Sequence, residues 1–108
     1  MAVQRPEQAF AELREMARYF HALRDLLRLR ILNTLATSGE MTVTELAQAL
    51  HVSQPLVSFH LRPLRLLDLV QVRRAGREVY CSANLAEIER RQDAFLELLN
   101  QPPESGGI

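Results

Sequence analysis

With 108 residues, 47% of them hydrophobic and 24% charged, the chain has the composition of one globular domain, and its six aromatics without Trp point to aliphatic helix packing instead of a β-sandwich or barrel. Thirteen Arg balance thirteen Asp plus Glu, so the global charge gives no support to nucleic-acid binding and only its distribution can. One cysteine, Cys81, excludes an internal disulfide or a multi-thiolate metal cage within one chain. No run nears the ~18 apolar residues of a membrane span, and Met1 to Glu7 lacks a signal peptide's apolar core, so the expected compartment is the cytoplasm, with no membrane partner.

Pro6 and the run to Phe20 read as a first helix, with Phe10, Leu13, Ala17 and Phe20 on one face and Glu12, Arg14, Glu15 and Arg18 on the other. His21 falls where that helix frays and reads as a dipole partner or an exposed side chain. Asp25 is the N-cap of a second helix that ends before Gly39 and presents Leu29, Ile31, Leu32 and Leu35 to a core. Thr42 and Glu45, three apart, form a capping-box pattern that starts a short third helix through Leu50. His51 and Val52 lead directly into Ser53, so the third and fourth helices form a helix-turn-helix.

Ser53 is the next N-cap, and Pro55 sits inside the first turn, where its missing N–H costs little. Gln54, Ser58 and Arg62 recur every fourth residue on one face, beside Pro55 and Phe59, while Val57, Leu61 and Leu64 form the opposite apolar face. An amide, a hydroxyl and a guanidinium at the N-terminal end of a short helix suit entry into a major groove: first amides to a phosphate, Gln to adenine, Arg to guanine or phosphate. An ordinary surface helix is the bland alternative for this segment alone. Pro63 removes one backbone bond and crowds the carbonyl of Phe59, which predicts a kink or an early end near Arg62.

Alternation marks Val70 to Arg73 as a strand, Ala75 and Gly76 as a turn, and Arg77 to Ser82 as the returning strand, with Arg74 and Arg77 at the hairpin tip. Between Ser53 and Ser82, five Arg face Asp68 and Glu78, a local balance of plus three on a neutral protein. Asn84, with Glu87 three residues on, caps a final helix from Leu85 to Asn100; residues 101–108 read as a disordered tail. The sum is a mainly α winged helix-turn-helix, about five helices and a two-stranded wing, in a single DNA-binding domain over residues 1–100. The first and last helices carry apolar faces that so small a core does not obviously cover, which predicts a homodimer through them and two recognition helices on a palindromic double-stranded operator.

The segments Asp25 to Leu32, Thr44 to Ala47, Ser53 to Leu61 and the wing residues Gly76 to Tyr80 resemble the ArsR/SmtB family of bacterial repressors over roughly residues 10–100. The resemblance implies a homodimeric winged-helix repressor that leaves its operator when an inducer, often a metal ion, binds. Leu26 stands where that family often has Pro, Leu56 where a hydroxyl is common and Asp68 where Gly is usual, and Pro63 within the recognition helix is unusual. Asp tolerates the left-handed conformation better than most residues, so the fold is expected to be kept.

The family's arsenic-type site uses cysteines at the start of the third helix, and Met41 to Leu46 has none. Its zinc-type site uses carboxylate and histidine ligands on the last helix, and Leu85 to Asn100 has no His; Glu87, Glu89 and Asp93 read as a solvated face. No metal and no cofactor is therefore expected, and the inducer stays unidentified. Cys81 is a candidate redox thiol only if it pairs across the dimer or with a small thiol, and otherwise a small core residue. His60 is open between a base or phosphate contact and a tie into the core. No partnered nucleophile, glycine-rich phosphate loop or metal triad suggests an enzyme. The residues expected at DNA are Ser53, Gln54, Ser58, Phe59, His60, Arg62, Arg74 and Arg77; the rival is a winged-helix protein-interaction module without specific DNA binding.

Overall fold

Side-chain caps and left-handed residues set most helix boundaries in the computed structural model, which describes residues 6–100. The expected disorder of the 101–108 tail lies outside the described residues. After α1 (Pro6–Leu23), Asp25 Oδ1 accepts the amides of Leu27 at 2.8 Å and Arg28 at 3.2 Å and so starts α2 (Leu26–Ser38). Gly39, at φ +84°, ends it with a bond from its amide to Leu35 O. The strand β1 (Met41–Thr42) follows, and Thr42 also caps α3 (Val43–Leu50). Both arms of the capping box form: the Glu45 amide donates to Thr42 Oγ1 at 3.0 Å and the Thr42 amide to Glu45 Oε1 at 2.9 Å. Ser53 Oγ accepts the Leu56 amide at 3.3 Å and opens α4 (Gln54–Leu66). The strands β2 (Val70–Ala75) and β3 (Glu78–Ala83) and the helix α5 (Leu85–Asn100) complete the chain, the Glu87 amide bonding Asn84 Oδ1 at 3.3 Å.

α3 and α4 end in the same way, each with a non-glycine residue in the left-handed region. His51 (φ +58°) follows α3, its amide bonding Gln48 O while the Val52 amide bonds Ala47 O. Asp68 (φ +63°) follows α4, its amide bonding Arg65 O while the Leu69 amide bonds Leu64 O. These are Schellman closures. They turn the chain sharply enough to deliver Ser53 as the next cap and to bring the fully buried Leu69 back under α4.

The sheet order is β1-β3-β2, all antiparallel, with Met41 opposite Cys81 on one side of β3 and Val72 opposite Cys81 on the other. β1 is a third strand absent from the sequence reading. The hairpin turn is Gly76-Arg77, one residue later than expected, with Gly76 at φ +62° as the first central residue of a two-residue loop. Arg77 is therefore a turn residue, and the strands run Val70–Ala75 and Glu78–Ala83.

Ile31, Leu35, Leu46, Leu50, Val57, Leu61, Leu64 and Leu69 form the core, closed by Met16 and Tyr19 of α1 and by Cys81. α1 continues past Phe20 and His21 because Ala22 is buried and Leu23 packs against the core. Pro63 does not end α4, which runs on to Leu66. The bond it removes belongs to the carbonyl of Phe59, whose side chain lies on the exposed side of the helix, while buried Leu61 and Leu64 anchor the helix on either side of Pro63. Tyr19, Met16 and Ala22 are the buried face of α1, whereas Phe10, Leu13 and Phe20, with Leu96 and Leu99 of α5, remain exposed. The radius of gyration, 17.2 Å, exceeds the roughly 13 Å of a compact domain of this length.

Candidate nucleic-acid interface

The capped start of α4 faces solvent, because Val57, Leu61 and Leu64 turn its other side into the core. Gln54, Ser58 and Arg62 lie exposed along it as the fourfold spacing requires. They form one wall of an open cleft of about 500 Å³, with Arg65 continuing the wall and Arg74 and Arg77 of the wing opposite. Arg62, Arg65, Arg74 and Arg77 take part in no ion pair among the described residues. Against them the cleft lining holds one carboxylate, that of Glu78, so the cleft is basic although the chain is neutral. Thr44 of α3 also lines it.

Arg65 is missing from the sequence-derived site, although its position is legible: it follows Ser58 by seven residues and Arg62 by three, on the same face. Arg73, counted with the basic segment, is instead committed elsewhere. It donates to both carboxylate oxygens of Glu40 at 2.9 and 2.8 Å and lies over the Tyr80 ring at 4.4 Å. Its hydrogen bond holds the Glu40 carboxyl below the usual carboxylate range.

His60, open in the sequence between a DNA contact and a tie into the core, joins α4 to the start of α2. Its side chain is 12% exposed, its Nδ1 accepts the Nε–H of Arg28 at 3.1 Å, and the Asp25 carboxylate lies 3.8 Å away. Burial alone would raise the Asp25 pKa, but the amides of Arg28 and Leu27 and the Arg28 charge outweigh it and hold the carboxyl low. Phe59, by contrast, is 66% exposed and meets the His60 ring edge to face, with centroids 5.2 Å apart.

Cys81 is fully buried at the centre of the sheet, and burial pushes its thiol pKa up, with Arg65 opposing and Glu40 reinforcing the rise. A buried thiol with a raised pKa is a poor nucleophile, so this placement favours the core-residue alternative for Cys81. On α5, Glu87 is bound to Arg90 at 2.7 Å and Arg91 at 2.9 Å, and among the described residues no three of His, Cys, Asp or Glu are grouped to hold a metal. Arg91, nearly buried, also faces Glu15 of α1 at 3.6 Å and donates to Leu67 O at 3.0 Å, joining the terminal helices to the end of α4.

Comparisons with known proteins agree with this architecture. The sequence profile of the bacterial regulatory protein, arsR family, matches residues 25–72, from the Asp25 cap into β2. A transcriptional repressor SmtB homolog from Synechocystis is 44% identical over 80 residues, 74% of this chain, and the match spans 60% of that relative's length. A cadmium resistance transcriptional regulatory protein CadC homolog from Staphylococcus aureus is 32% identical over 83 residues, covering 76% of this chain and 69% of the relative. Among solved structures, the homodimeric winged helix-turn-helix DNA-binding domain Mb0332 from Mycobacterium bovis superposes with a TM-score of 0.71 at 31% identity, over 89% of this chain and 88% of that one. With the capped α4, the wing and these likenesses together, the chain belongs to the ArsR family of bacterial regulatory proteins, built as a winged helix-turn-helix.

Proposed function

We propose that the protein is a homodimeric, sequence-specific DNA-binding transcriptional repressor of the cytoplasm, acting on a palindromic operator and released from it by an inducer not yet identified. The observation that carries the reading is the cleft between α4 and the wing, where four unpaired guanidiniums flank an amide and a hydroxyl. Phosphates supply the charge such a cleft lacks, and base edges supply partners for Gln54 and Ser58. In this reading Ser53 caps α4 and meets a phosphate, Gln54 and Ser58 face bases, and Arg62 serves bases or backbone. Arg65, Arg74 and Arg77 meet phosphates.

Dimerisation is supported by the uncovered apolar side chains of the terminal helices, Phe10 at 63%, Leu13 at 54%, Leu96 at 53% and Leu99 at 63% exposed. A second copy would bury them and set two recognition helices one DNA turn apart. Sedimentation of the purified chain checks the dimer. Enrichment of duplexes from a random pool at two salt concentrations checks the DNA reading: a repressor enriches a palindromic sequence in a salt-sensitive manner, whereas an interaction module enriches none. Titrating the resulting complex with metal ions, oxidants and metabolites then identifies the inducer by release of the duplex.

A further inference from the structure

The recognition helix carries two different surfaces over its first two turns. Toward the wing it is polar, through Gln54 and Ser58. On the side turned away from the wing it is apolar: Pro55, Leu56 and Phe59 are all exposed, and none of them lines the cleft. Phe59 follows Pro55 by four positions and Leu56 by three, so the three side chains are neighbours on the helix surface. Leu56 is 40% exposed and Phe59 66%, although the core begins one residue away at the fully buried Val57. The Phe59 ring is also steadied, packed edge to face on His60, which Arg28 and Asp25 hold in turn.

We infer that this apolar triangle reads thymine methyl groups, and that the protein selects operators bearing thymine on the side of the helix away from the wing. The inference rests on the DNA-binding reading above and deepens it. Two observations name the occupant. The triangle is continuous with the polar wall of the cleft, within one turn of Gln54 and Ser58, and unpaired Arg62 follows Phe59 by three residues. A nucleic acid held by those arginines therefore covers Phe59 as well. In a major groove the C5-methyl of thymine is the one alkyl group that the base edges present, so it is the best complement there to a phenyl ring and a leucine. Opposite a cytosine amine or a guanine carbonyl, the same triangle would strip a polar group of water and give it no partner.

The test uses the full chain and a duplex it has enriched from a random pool, resynthesised with deoxyuridine in place of thymidine at each half-site position in turn. Deoxyuridine keeps every hydrogen bond and removes only the methyl. The wild-type protein is expected to lose about fourfold in affinity at one or two positions of each half-site, the weight of one buried methyl group. Phe59→Ala, which alters an exposed side chain, should bind the thymidine and deoxyuridine duplexes equally at those positions, whereas Gln54→Ala should keep the discrimination. Wild-type protein that binds both duplexes equally at all positions overturns the inference while leaving DNA binding intact. Phe59→Ala that still discriminates overturns it too. A failure to enrich any duplex removes the DNA-binding reading and this inference with it.

Discussion

Arg73 and Arg77 stand four residues apart in one hairpin and carry the same charge, yet only Arg77 has that charge free. If the four cleft arginines of each protomer all neutralise phosphates, a dimer neutralises about eight, and log K falls against log salt with a slope of about −7. Arg77→Ala removes two of these per dimer and brings the slope to about −5.4. Between about 50 and 200 mM salt, the wild type then loses roughly 4.3 decades of affinity and the variant roughly 3.2, a difference of about tenfold. Arg73→Ala deletes the same formal charge but leaves Glu40 behind, and its slope should stay at the wild-type value because Arg73 faces a carboxylate and an aromatic ring. Fluorescence anisotropy of an enriched duplex at five or so salt concentrations gives all three slopes. Equal slopes for wild type and Arg77→Ala would refute the wing contact. Equal flattening by both variants would refute the argument that pairing, and not net charge, decides which arginine binds.

Gln54→Ala should relax sequence preference at one base pair per half-site by about 1–3 kcal/mol, read by competition with single-base variants of the duplex. Asp68→Gly relieves a left-handed residue and keeps both closing backbone bonds, so it should raise stability by about 0.5–1 kcal/mol in urea unfolding, less the entropy Gly loses on folding. The Glu87 carboxyl is held low by its hydrogen bond to Arg90, against burial and with help from the charges of Arg90 and Arg91. A carboxyl whose pKa falls on folding binds fewer protons folded than unfolded, so its stabilisation is present above about pH 5 and lost as pH drops through the folded value. Glu87→Gln should therefore lower the urea midpoint at pH 7 and narrow the gap between midpoints at pH 7 and pH 3.

What was legible in the sequence is what short-range chemistry decides. The caps at Asp25, Thr42, Ser53 and Asn84 each satisfy amides two or three residues away, and all four form. The left-handed residue at Asp68 is expected from the resemblance alone, through the Gly usual at that position, and it forms with two closing backbone bonds. The misreadings lie where partners come from far along the chain. β1 exists because β3 pairs with it across some forty residues, and two residues carry no alternation to read. The choice left open for His60 turned on Arg28, which lies 32 positions earlier and reaches its ring. Arg73 is removed from the basic surface by Glu40, 33 positions away. Pro63 does not bring the early end that the bond it deletes suggests, because the burial of Leu61 and Leu64 holds the helix through it. Arg65 is the exception, for its helical spacing was visible and needed only the wing opposite to give it meaning.

Thr42 belongs to two structures at once, closing the first turn of α3 with its hydroxyl while its backbone sits opposite Tyr80 in the ladder that carries the wing. The base of the hairpin and the start of α3 are thereby tied through one residue. Under the proposed DNA-binding function, a duplex whose groove widths do not match the distance between wing and α4 would itself have to flex, and sequences would then be sorted by how easily they deform, even at base pairs the protein never touches.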